Sequence, residues 1–175
     1  MAKKRLEKSQ VLILLPVLLA AISANLFFAS GVSAQSDSDP QSRPRFVSLR
    51  SEPVNMREGP STEHAIKWVY HRKGLPMQVL TEYDVWRRVR DVDGEVGWIH
   101  VSLLTNERTA IIIGSGYAMA RADDQPDASV LAEVEPGVVG TIETCGPLAC
   151  RLDFSGIEGW VDRSRLWGVY ADERL

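Results

Sequence analysis

A six-residue pattern occurs twice in this chain. Gly94-Glu95-Val96-Gly97-Trp98-Ile99 returns 62 residues later as Gly156-Ile157-Glu158-Gly159-Trp160-Val161. Earlier landmarks keep step with it: Met56-Arg57 precedes Met119-Ala120 by 63 residues, and Gly74-Leu75 precedes Gly137-Val138 by the same interval. Between them, Trp86-Arg87-Arg88-Val89 aligns with Cys150-Arg151-Leu152-Asp153 if a hairpin turn of the second copy is two residues shorter. Matching landmarks at a fixed period indicate duplication, and duplication limits the fold to two copies of one small unit.

Each copy reads as strands. Met77, Val79, Val85, Val89, Val92, Val96 and Ile99 are dispersed among polar residues, with Gly74, Asp93-Gly94 and Gly97 as punctuation, and no helix-length apolar stripe interrupts residues 46–104. Asp93-Gly94, answered by Ser155-Gly156 in the second copy, predicts a hairpin, because glycine accepts the positive φ of a tight turn. A unit of about 60 residues with five or six short strands is too small for a sandwich and fits a small closed barrel. The predicted fold is all-β, with two tandem barrels over residues 46–108 and 109–175.

The segment before them reads as an export signal over residues 1–34. Lys3, Lys4, Arg5 and Lys8 form a basic head, Val11 to Phe28 carries no charge, and Val32-Ser33-Ala34 offers small side chains for cleavage after Ala34. The alternative is an uncleaved inner-membrane anchor, since 18 uncharged residues just suffice to span a bilayer. Pro16, Ser23 and Asn25 interrupt the run and favour cleavage into the periplasm. With no cysteine near the site, a lipoprotein anchor is not expected. Residues 35–45 lack any large apolar side chain and read as a flexible linker.

Export governs the two cysteines. Cys145 and Cys150 would pair in an oxidising compartment; a metal site would need more ligands, and the Cys-x-x-Cys redox spacing is absent.

Residues Val54-Asn55-Met56-Arg57-Glu58-Gly59-Pro60-Ser61, Gly74-Leu75-Pro76-Met77-Gln78-Val79, Trp86-Arg87-Arg88-Val89 and Gly94-x-x-Gly97-Trp98-Ile99 together resemble the bacterial SH3-like domain family. The second copy departs at Tyr117-Ala118-Met119-Ala120-Arg121 and at Cys150, keeping Gly137 and Gly156-x-x-Gly159-Trp160-Val161. A tandem pair behind an export signal is similar to small exported SH3-like proteins of Gram-negative bacteria; the resemblance implies a periplasmic location and no activity. Gly97 and Gly159 would permit a bulge or close strand approach, and Trp98 and Trp160 are expected to fill the barrels.

Candidate ligand-binding residues are Tyr70, Tyr83, Trp86, Arg87 and Arg88, aromatics beside charges that resemble a stacking groove for extended peptides. For Trp86 the competing reading is plain packing. Residues 46–108 carry nine basic and nine acidic side chains, whereas residues 109–175 carry five and eleven. The first copy is therefore the one suited to a carboxylate-bearing ligand such as a wall stem peptide. The acidic balance argues against nucleic acid as a partner. No nucleophile setting, metal-ligand spacing or apolar-set carboxylate pair stands out, and the expectation is no catalysis and no cofactor. The leading function is a non-catalytic adaptor of the cell envelope that recognises an extended peptide or peptidoglycan stem. The alternative is an assembly role, with the copies packed on each other or on an envelope protein.

Overall fold

The computed structural model describes residues 45–175. The expected signal segment and its cleavage point lie outside the described residues. Arg45, assigned above to the linker, opens the first strand and pairs with Val79.

The first sheet contains β1 (Arg45–Leu49), β2 (Val54–Arg57), β3 (Ile66–Tyr70), β4 (Pro76–Tyr83), β5 (Trp86–Arg90), β6 (Val96–His100) and β7 (Leu104–Thr105). The second contains β8 (Thr109–Ile112), β9 (Ala118–Arg121), β10 (Val130–Val134), β11 (Val139–Cys145), β12 (Ala149–Asp153), β13 (Glu158–Asp162) and β14 (Leu166–Trp167). Spatial order is β3-β2-β6-β5-β4-β1-β7 in one and β10-β9-β13-β12-β11-β8-β14 in the other. One order is the other shifted by seven strands, so the duplication read in the sequence is a duplication of topology. A 3-10 turn precedes the last strand in both, at Val101–Leu103 and Arg163–Arg165.

Each copy has its own apolar centre. Val47, Leu49, Val54, Met56, Met77, Val79, Val89, Ile99 and Leu104 form the first. Ala110, Ile112, Ala118, Ala120, Ile142, Leu152 and Val161 lie in the second, with both cysteines.

Strand parity overturns one expectation. On β6 the inward positions are Gly97 and Ile99, and Trp98 between them is half-buried on the outer face; Gly159, Trp160 and Val161 repeat this on β13. Side chains alternate along a strand, so the residue after the glycine cannot share its face. Ile99 and Val161, each fully buried, fill the barrels in place of the tryptophans. Close strand approach does explain the glycines. A Cβ on Gly97 would stand 2.5 Å from Met56 Cγ, and one on Gly159 would stand 2.7 Å from Ala120 Cβ.

Register also refines the alignment of the copies. Arg57 pairs with Trp98 and Arg121 with Trp160, so Arg57 corresponds to Arg121 at an interval of 64, and Met56 to Ala120. Val89 opposes Gly97 and Leu152 opposes Gly159, so the second hairpin is one residue shorter, and Cys150 corresponds to Arg87, with Ala149 standing for Trp86. Cys145 and Cys150 are bonded, with Cα atoms 4.0 Å apart directly across the β11–β12 ladder. The same rung of the first copy holds Glu82 and Arg87, which form an ion pair at 3.1 Å.

The copies meet along β1 and β8, both buried on both faces. Val47 and Leu49 point into the first core, while Phe46 and Ser48, on the opposite face, are covered by the second copy. Ser48 Oγ stands 2.7 Å from both the Glu107 carbonyl and Thr109 Oγ1, and Thr109 Oγ1 donates to the Gly74 carbonyl at 2.7 Å. Phe46 packs edge-on against Trp167, with centroids 5.0 Å apart, and against Tyr170 at 4.9 Å. The Tyr170 hydroxyl accepts from Gln78 Nε2 at 2.8 Å, and Arg108 grips Glu173 with two nitrogens at 2.5 and 3.0 Å.

Two outcomes follow from this packing. Ile99→Ala should lower unfolding free energy by about 2–5 kcal/mol, read as a shift in urea midpoint at unchanged slope. Burial opposes the Glu173 charge, but hydrogen bonds from Arg108 and the Tyr170 amide, with the guanidinium charges of Arg108 and Arg163, outweigh it and hold the carboxyl below the usual glutamate range. A depressed folded value means that the stabilisation is full above the unfolded pKa and disappears as pH falls through the folded one. Glu173→Gln should therefore flatten the acid limb of a thermal midpoint against pH titration and lower the midpoint at neutral pH.

Candidate functional site

The β4–β5 hairpin carries most of the candidate residues. Asp84 and Val85 make its tip, Asp84 at φ 49°, and the Arg87 guanidinium ties the tip down by donating to the Asp84 carbonyl at 2.8 Å. Tyr83, opposite Trp86 in the ladder, is 62% exposed, and Val85 beside it is exposed as well. Trp86 is 8% exposed and meets the His100 ring edge-on at 5.3 Å. That burial matches the packing alternative for Trp86: the ring is covered and offers no open stacking face.

Arg87 and Arg88 part company because strand neighbours face opposite ways. Arg87 reaches Glu82, which also binds Arg45. Arg88 is exposed on the outer face opposite Trp98. Tyr70 is far from all of these, at the end of β3, where its hydroxyl donates to Asp91 Oδ2 at 2.8 Å. Burial and the Asp91 carboxylate push the Tyr70 phenol well above its ordinary pKa, which fixes it as a neutral donor. The structure thus sets Arg87 with Glu82 on one face of the hairpin, places Tyr83, Trp86 and Arg88 on the other, and leaves Tyr70 outside the group.

Beside the hairpin lies a cleft of about 120 Å³ lined by Arg45, Val47, Arg50, Arg87, Val101, Leu104, Thr105 and Asn106. Three guanidiniums edge it, and the Glu82 carboxylate compensates two of them. Arg50, whose Nε donates to the Leu104 carbonyl at 3.0 Å, has no acidic partner among the described residues. Sequence reasoning missed Arg45 and Arg50, since both lie more than thirty residues from Arg87 and only the β1–β4 and β1–β7 pairings bring them near it.

Two of the three histidine rings have close neighbours, and His71 is exposed. The His64 ring lies over Gly59, where a Cβ would come within 2.4 Å of it, and His100 Nδ1 sits 2.7 Å from Ser102 Oγ. Among the described residues no group of three or more His, Cys, Asp or Glu side chains is placed to hold a metal ion. None of the described helical segments is long and apolar enough to cross a membrane.

Comparison with known proteins places these observations. Among solved structures the chain is similar to NlpC2 from Trichomonas vaginalis, at 13% identity and a TM-score of 0.34, covering 75% of this chain and 51% of that one. It is also similar to NlpC1 from the same organism, at 14% identity and a TM-score of 0.32, covering 74% and 47%. The chain spans about half the length of each, and likeness at this level carries no functional argument. No curated protein matches the chain. The bacterial SH3 domain family matches it twice, over residues 50–106 and 114–168, one match on each sheet. Two matches in tandem, each on a seven-stranded unit of the same strand order, show that this chain belongs to the bacterial SH3 domain family.

Proposed function

We propose that the protein is an exported, non-catalytic binding module of the cell envelope whose first copy recognises an extended, carboxylate-bearing peptide such as a peptidoglycan stem. The observation that carries this reading is the cleft edged by Arg45, Arg50 and Arg87 at a hairpin whose other face carries the exposed Tyr83 ring. Guanidiniums bind carboxylates with directional hydrogen bonds, and a flat exposed ring supplies contact area at small entropic cost. Charge supports the same copy: the first is neutral and the second holds the acidic surplus. The Cys145–Cys150 disulfide and the bacterial SH3 family fit an extracytoplasmic protein. The finer reading is periplasmic, with residues 1–34 removed after Ala34 and residues 35–45 linking to the first copy.

The assembly alternative also has a specific observation behind it. The copies already bury Phe46, Ser48 and Thr109 against each other, as a unit built to pack would.

Retention on purified sacculi separates the two. The chain should sediment with peptidoglycan at low salt and be released by raised salt, because exposed charge contacts are screened. Arg50→Gln and Tyr83→Ala should each weaken retention, Tyr83→Ala by about 1–2 kcal/mol, with the unfolding midpoint unchanged. Trp86→Ala should lower that midpoint, as removal of a buried ring does. No retention at any salt would leave the assembly role.

A further inference from the structure

The strand registers set five residues in one line across the outer face of the first copy. Ile66 opposes Arg57, Arg57 opposes Trp98, Trp98 opposes Arg88 and Arg88 opposes Thr81, on β3, β2, β6, β5 and β4. The second copy has Val130, Arg121, Trp160, Arg151 and Thr144 in the same order. A β-branched residue, an arginine, a tryptophan, an arginine and a threonine have thus been kept in register by two copies that differ in most other surface positions. The inner arginine is tied the same way in both: Arg57 donates to the His64 carbonyl at 2.7 Å, and Arg121 to the Pro126 carbonyl at 3.2 Å.

The copies diverge at the outer arginine. Arg151 is held by Glu143 at 3.0 Å and by Glu158, so the second row is neutralised from within. At the corresponding positions the first copy has Leu80, the bulge residue between Val79 and Thr81, and Val96. Arg88 makes no ion pair or hydrogen bond among the described residues. A purely structural use of the row would not require its charge to be uncompensated in one copy and cancelled in the other.

We propose that the row Arg57-Trp98-Arg88 is a second binding site of the first copy, for a short extended peptide bearing two carboxylates with small apolar side chains between them. This rests on the peptide-binding reading above and adds a surface separate from the arginine cleft. Adjacent strands stand about 4.8 Å apart, so the two arginine backbones flank Trp98 at about 10 Å, which three residues of polyproline II chain span at about 3.1 Å each while returning the first and fourth side chains to one face. Each guanidinium takes one carboxylate, and the half-buried indole takes the apolar segment between them. The second copy, with Glu143 and Glu158 in place, rejects the same ligand by repulsion.

The test follows the indole N–H signals of Trp98 and Trp160 by NMR in the full chain, titrated with acetyl-Glu-Ala-Ala-Glu-amide, and with acetyl-Gln-Ala-Ala-Gln-amide as the neutral control. The diacid should shift Trp98 and leave Trp160 in place, and the neutral peptide should shift neither. Arg88→Gln, an exposed change that breaks no contact, should weaken the diacid roughly ten- to a hundredfold, while Arg151→Gln should leave it unchanged. Glu143→Leu with Glu158→Val should make Trp160 respond; if that pair fails to fold, Glu158→Gln alone should produce a weaker response. An unmoved Trp98, equal shifts from the neutral peptide, or undiminished affinity in Arg88→Gln would each overturn the proposal. Loss of peptide binding in Arg88→Gln with sacculus retention intact would confirm the row and leave the wall-binding reading standing on the cleft. Retention of sacculi with no response of Trp98 to the diacid would overturn the row alone.

Discussion

Two hydroxyls hold the copies together. Thr109, buried, donates to the Gly74 carbonyl of the first copy at 2.7 Å, and Ser48, buried against it, donates to the Glu107 carbonyl at 2.7 Å. Because β1 already gives Val47 and Leu49 to the first core, a polar residue between them is tolerated only if something covers and satisfies it. Thr109 of the second copy covers it, the Glu107 carbonyl just before that strand satisfies it, and the second copy's tail completes the seal with Trp167 and Tyr170 on Phe46. This packing closes one side of the first copy to solvent.

Architecture was legible in the sequence because a repeat is insensitive to small errors of placement. Landmarks such as Gly74 and Gly137, or Gly97 and Gly159, sit at positions that only glycine fits, so their spacing survives where other residues diverge. Register was not legible to the same degree. A slip of one residue exchanges the two faces of a strand. Hence Trp98 and Trp160, prominent in the sequence, were read as core, while the smaller Ile99 and Val161 occupy that place.

The candidate site suffered from the same limit and from a second one. Nearness in sequence put Tyr83, Trp86, Arg87 and Arg88 in one group, yet alternation divides Arg87 from Arg88 and packing against His100 covers Trp86. Tyr70 looked like a surface ring because charged residues follow it; its partner, Asp91, lies 21 residues away in another loop. Arg45 and Arg50 border the cleft only through non-local strand pairing, which no local pattern announces. The cysteine pairing, by contrast, needed nothing beyond composition and compartment.

One rung of the ladder has been built with two kinds of chemistry. Where the first copy sets Glu82 against Arg87, the second sets Cys145 against Cys150. An ion pair of part-exposed groups loosens with ionic strength, and a disulfide is indifferent to it but yields to thiol reductants. The two equivalent rungs of a single chain therefore answer to separate variables of their surroundings, one to ionic strength, the other to redox poise.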